Sequence, residues 1–306
     1  MKKYLIISIL TLLIGITAIV FTHLILESLN QYKQEKETIA RELNFEERLM
    51  NVSEWNPFSD AAESKLKTYD KLQNSADEFY HTAVYDGLIL FGSLIVYLLV
   101  VAIYYWKVSF FNQMFGIGLI VVSLCLIYLG LQAPFLEIEA FSNNLAFKIP
   151  VDLGFFEHTF EKTFDGKMLY FYQNKSVFEL VYLLFSGGNV LVGLALVLFS
   201  IVFPLFKLLS SLFVLIWSHS QYANKVEYII LRIGKWSMAD VFVAGIFLAY
   251  FSFSNMNVGV DTGAATLIGL YFFLGFVIVS IISSYFVKKS RQITISTESK
   301  ELEFVG

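Results

Sequence analysis

Residues 176–217 read SVFELVYLLFSGGNVLVGLALVLFSIVFPLFKLLSSLFVLIW, with Glu179 and Lys207 as the charged residues of the run. As one straight helix it would measure roughly 60 Å, twice the ~30 Å of a bilayer's hydrocarbon. Two full spans would leave no room for a turn. Ser176-Val177-Phe178-Glu179 fits a capping box, in which a Ser and a Glu three residues later satisfy the orphan amides of a helix start. The pattern predicts a helix from there, an interfacial or re-entrant turn over 177–186, and a break at Gly187-Gly188. One membrane span follows, over 189–209, and projects beyond Lys207. Pro204 predicts a kink.

The rest of the chain agrees with a membrane reading. Of 306 residues, 57% are hydrophobic and 16% charged, against about 45–50% and about 25% in soluble domains. A soluble or disordered chain is excluded. The net charge of −4 and the absence of a basic patch exclude nucleic acid as a partner. A single cysteine, Cys125, excludes a disulfide framework and a CxxC zinc site. The four histidines stand far apart, so no metal or other cofactor is expected. Apolar stretches at 4–26, 87–106, 115–133, 238–253 and 264–287 join the fourth span, each close to the ~20 residues a spanning helix needs. The expected fold is an all-α polytopic membrane protein with six transmembrane helices. The first stretch could be a cleaved signal peptide, but it is long for one and no A-x-A site follows.

Loop charge orients the bundle. With the N-terminus in the cytoplasm, the inside segments carry eleven basic residues, among them Lys2, Lys3, Arg232, Lys235, Lys288, Lys289 and Arg291, against four acids. The two large outside segments carry eleven basic residues and eighteen acids. The short inner loops are basic, which places both termini in the cytoplasm.

The outside segments differ in character. Residues 27–85 are rich in Glu, Lys, Gln and Leu, with a turn signal at Asn56-Pro57-Phe58-Ser59-Asp60. They predict an extracytoplasmic helical hairpin that continues both flanking spans outward, as a spacer or as a sensing arm. Residues 134–175 alternate like strands at Phe135-Leu136-Glu137-Ile138-Glu139, and Asp165-Gly166 between aromatic stretches is a hairpin signal. A small β-rich extracytoplasmic cap is expected there. Asp261-Thr262-Gly263 reads as an outer turn, and the tail 291–306 as a polar, disordered cytoplasmic segment.

Polar groups inside apolar helices carry the chemical information, because an ionisable side chain at mid-bilayer costs about 2.5–3.5 kcal/mol. Ser200 and Lys207 lie two turns apart on one helix face. Lys207 either snorkels to the inner interface or serves a buried site. Ser237 and Asp240 are either a capping box, with Trp236 as interface anchor, or a deeper acid able to pair with Lys207. Ser280, Ser283 and Ser284 interrupt the last span. There is no G-x-S-x-G elbow, no phosphate-cradling loop and no nucleophile–base constellation, so an enzyme is not expected.

Ser200-Ile-Val-Phe-Pro204-Leu-Phe-Lys207-Leu-Leu resembles the S-x-x-x-P-x-x-K-L-L signature of the paraquat-inducible protein A (PqiA/LetA) family of bacterial inner-membrane proteins. Gly234-Lys-Trp236-Ser237-Met238-Ala-Asp240-Val241-Phe242-Val resembles its G-[RK]-W-S-M-x-D-V-F-V signature, in the family's order. The resemblance covers one four-helix module at about 113–290, with the cap 134–175. Residues 1–112, with spans at 4–26 and 87–106, show none. The CxxC zinc ribbons and second module of better-known members are missing. The resemblance implies lipid handling between the two membranes of a bacterial envelope, with a mammalian-cell-entry (MCE) domain protein as partner. It further implies a functional polar network of Ser200, Lys207, Ser237 and Asp240, with Ser280 completing it. Pro204, Trp236, Gly187 and Gly188 would be structural. A scaffold or sensor that uses the 27–85 hairpin is the alternative.

Overall fold

A computed structural model describes residues 2–56, 61–108, 110–152, 157–217 and 260–305, together with Val226, Gly245, Ile246, Ala249 and Ser252. Two very long helices open the chain, α1 (Lys2–Glu42) and α4 (Ala61–Tyr105). At 1.5 Å per residue each measures about 60–70 Å, so each is long enough to cross a bilayer and continue well beyond it. They pack antiparallel along an apolar seam. On α1 the buried positions include Ile14, Ala18, Ile25, Leu29, Tyr32 and Ile39; on α4 they include Ala76, Ala83, Leu90, Leu94, Tyr97 and Val101. Steps of three, four and seven are the spacing of a coiled-coil seam. The far ends are joined through two short helices, α2 (Phe45–Met50) and α3 (Val52–Trp55), each capped by an asparagine, Asn44 and Asn51.

Helix α5 (Phe111–Gln132) is followed by two long strands, β1 (Leu136–Asp152) and β2 (Glu157–Lys175). A third strand, β3 (Asp261–Thr266), pairs antiparallel with the base of β1, giving the order β2-β1-β3. The segment expected as a turn at 261–263 is therefore a strand: backbone pairing to Phe141, Ala140 and Glu139 takes up its ladder groups. Asp165-Gly166 is likewise no hairpin turn. It lies within β2, facing Asn144 of β1 where the register shifts. Asn144 (φ 53°) and Gly166 (φ +81°) both adopt left-handed backbone, and the Gly166 N–H donates to Asn144 Oδ1 at 2.8 Å. Two facing bulges satisfy the same φ > 0 requirement that a tight turn would have met.

The last described helix, α9 (Ile268–Val305), runs antiparallel to α5 and continues through the tail expected to be disordered. Gly130 of α5 lies against the backbone of Phe273, where an added Cβ would come within 2.9 Å of its Cα and N. Gly269 lies against the Ala133 and Pro134 carbonyls, and its N–H donates to Pro134 O at 3.1 Å. Among the described residues five helices are long and apolar enough to cross a membrane: Ile9–Glu42, Ser64–Tyr105, Phe111–Gln132, Val190–Ile216 and Ile268–Ile293. The span expected over 238–253 lies outside the described residues apart from Gly245, Ile246, Ala249 and Ser252.

The hairpin is docked on the sheet. Arg48 of α2 is buried, and its Nε and guanidinium NH2 meet the Glu54 carboxylate at 3.0 and 2.9 Å. The same guanidinium donates to the carbonyls of Asp165 and Lys167, which flank the bulge, both at 3.1 Å. Lys65 of α4 reaches Glu54 at 2.6 Å. Burial alone would raise the Glu54 carboxyl, but the hydrogen bonds and charges of Lys65 and Arg48 outweigh it and hold the pKa below the usual carboxylate value.

Candidate functional site

The helical run quoted at the outset folds as its punctuation requires. Helix α6 (Val177–Ser186) starts with a complete capping box between Ser176 and Glu179. Gly187 ends it, and Gly188 takes φ +79°. The chain folds back into α7 (Val190–Val197), where Leu184 and Phe185 pack on Gly193. A π-helical turn, Leu198–Val202, joins α7 to α8 (Phe203–Ile216). Pro204 has no N–H, and its ring would clash with the carbonyl four residues back, that of Ser200. The π turn opens the ladder at that point: the Phe203 N–H donates to Leu198 O, five residues back. The expected kink site is thus a wide turn, and such turns often mark functional sites.

Ser200 sits in this π turn at 1% exposure, and its hydroxyl has no hydrogen-bond partner among the described residues. Lys207 lies on α8 and donates to Ser280 Oγ of α9 at 3.1 Å. Ser284 donates back to the Ser280 carbonyl at 2.8 Å. Ser210, Ser211 and Ser283 are also buried. The structure therefore brings Lys207 and Ser280 together and places Ser200 in the turn above them. The two-turn arithmetic that aligned Ser200 with Lys207 assumed an unbroken α-helix, and the π turn lies between them. Ser237, Asp240 and Trp236 lie outside the described residues.

At the opposite end of the spans, the base of the sheet has two unlike faces, because successive strand residues point to opposite sides. Leu136 and Ile138 of β1, paired with Lys175 and Gln173 of β2, face a crevice of about 330 Å³. Phe135, then Ser176, Val177 and Leu180 at the start of α6, and Gly245, Ile246 and Ala249 complete its wall. The lining is mostly apolar, with Gln173, Lys175 and Ser176 as polar members. The other face carries Glu137 and Glu139 toward the hairpin. Tyr32 of α1 donates to Glu137, Lys36 lies 3.5 Å from the same carboxylate, and Lys167 reaches Glu139 at 2.6 Å. Burial, then the Glu137 charge and hydrogen bond, push the Tyr32 hydroxyl well above the usual phenol range.

Lys33 of α1 pairs with Glu179 of α6. Burial would raise the Glu179 carboxyl, but the Lys33 hydrogen bond, the Ser176 amide and the neighbouring lysine charges hold it below its ordinary value. Sequence reasoning identified Glu179 as a cap and missed its second partner. The strand alternation around Glu137 and Glu139 signalled a charged face, but nothing local identified α1 as its cover.

No curated protein and no solved structure matches the chain. The family model of paraquat-inducible protein A (PqiA) matches residues 164–291. That stretch runs from the bulge of β2 through the crevice wall, both sequence signatures and the Lys207–Ser280 contact. Residues 164–291 of this multi-pass membrane protein, somewhat under half of the chain, are thus similar to the paraquat-inducible protein A family.

Proposed function

We propose that the protein is an inner-membrane component of a lipid-transport system of the bacterial envelope, and that it moves or loads lipid together with an MCE-domain partner. The observation that carries this reading is the apolar crevice of about 330 Å³ beneath the sheet, bounded by strand bases and by the first turn of α6. Its size lies at the lower end of small-ligand pockets, about 300–1,000 Å³, which suits part of an amphiphile rather than a whole lipid. Gln173, Lys175 and Ser176 at the wall offer a polar end to an otherwise oily slot. The family segment supplies the part of this wall from Gln173 onward, which supports the reading further.

In this proposal a sixth span over 238–253 completes the bundle, both termini are cytoplasmic, and the sheet and hairpin are extracytoplasmic. Asp240 and Ser237 join Lys207, Ser200 and Ser280 in one polar network, and protonation of Asp240 couples the proton gradient to lipid movement. The role is transport rather than catalysis. Purification in mild detergent, followed by mass spectrometry of bound lipid and protein, tests it. Phospholipid enriched over the bulk membrane, with an MCE-domain protein, is the expected result. Lipid at bulk composition and no such partner would overturn it.

A further inference from the structure

We propose that Lys33, on the N-terminal hairpin, is a positioning residue for the crevice: through Glu179 it holds α6, one wall of the crevice, in its seated orientation. The proposal rests on the crevice being the lipid site, and it gives the hairpin, which lies outside the family segment, a role at that site.

Helix α6 is ten residues long and is bounded by the strand end at Ser176 and by the Gly187-Gly188 turn. Its outer side is open, with Phe178, Tyr182, Leu183 and Phe185 exposed. Three elements meet on one carboxylate at its start. Glu179 Oε2 accepts from the Ser176 N–H at 3.0 Å, and Ser176 Oγ accepts from the Glu179 N–H at 3.3 Å. Glu179 Oε1 pairs with Lys33, which also stands 3.9 Å from Glu37 on its own helix. Ser176, Val177 and Leu180 of this first turn line the crevice. The lysine therefore fixes the end of α6 that shapes the slot.

Lys33 does not itself dock the hairpin on the sheet. Tyr32 and Lys36 do so at Glu137, and Arg48 does so at the bulge. Loss of Lys33 thus leaves the hairpin seated and frees α6 alone.

In the full-length protein with Cys125→Ser, Leu180→Cys reports exposure of the crevice wall by its rate of maleimide labelling. Leu90→Cys, fully buried on the α1–α4 seam, reports general loosening. Lys33→Met and Lys33→Gln are expected to speed labelling at position 180 severalfold and to leave position 90 unchanged, while Lys33→Arg keeps both slow. Unchanged labelling at 180, an equal rise at 90, or an arginine variant that behaves like methionine would overturn the proposal. The readout needs no lipid movement, so an expected labelling pattern beside a failed lipid-binding test would sink the transport reading and leave the positioning role standing.

Discussion

Single residues set the chemistry at both ends of the spans. Lys207 is half-buried and donates to Ser280. Removing one partner of a buried polar contact leaves the other unsatisfied, which costs about 1–3 kcal/mol. Lys207→Met deprives the buried Ser280 hydroxyl of its donor and is therefore expected to lower stability by about that amount while abolishing lipid movement, read by a melt beside a transfer assay. Ser200→Ala should instead keep or raise the melting temperature, since its hydroxyl is unpartnered among the described residues and an unmade buried hydrogen bond itself costs about 1–3 kcal/mol. At the hairpin tip the balance differs. Arg48→Ala would leave the buried Glu54 carboxylate to Lys65 alone and strand two bulge carbonyls, so a loss of about 1–3 kcal/mol is expected in hydrogen exchange of α2 and α3. The same site has a pH signature. The folded pKa of Glu54 lies below its ordinary 4.5, so its stabilising contribution is complete above that pH. It is lost as pH falls through the lower folded value, and exchange at the tip should quicken there in wild type but much less in Glu54→Gln.

At the scale of elements, period 3.6 and period 2 were legible and partner identity was not. The capping box at Ser176, the break at Gly187-Gly188 and the alternation of Leu136 to Glu139 all correspond to observed features. Asp165-Gly166 misled because a positive φ is equally at home in a turn or a bulge, and only the facing Asn144 decides between them. The tail was read as disordered from its polarity, but it extends an existing helix and so needs no new nucleus. Glycine contacts were invisible to a GxxxG search because Gly269 meets the carbonyls ending α5, and Gly130 meets α9 with no partner at that spacing. This gives a contrast. Gly269→Ala, whose Cβ would fall 2.5 Å from two carbonyl oxygens, should cost about 1–3 kcal/mol by overpacking. Gly275→Ala meets Leu126 at an ordinary 3.6 Å and should be neutral or gain up to about 1 kcal/mol from helix propensity. Thermal melts in one detergent compare the two.

The whole molecule joins a coiled hairpin, a bent sheet and an apolar bundle at one level, just beyond the ends of the spans. Composition and hydropathy sufficed to establish the bundle. The joint did not follow from them, because Lys33–Glu179 and Tyr32–Glu137 link positions whose pairing depends on three-dimensional register. Both hold elements that frame the crevice, α6 and β1, and the proposed function stands on that crevice holding lipid. The most direct test is native mass spectrometry after stringent delipidation, comparing wild type with Leu180→Trp, which fills the slot, and Leu191→Trp, on the open surface of α7. Lipid retained by wild type and Leu191→Trp and lost from Leu180→Trp is the predicted result; equal retention by all three, or by none, contradicts it.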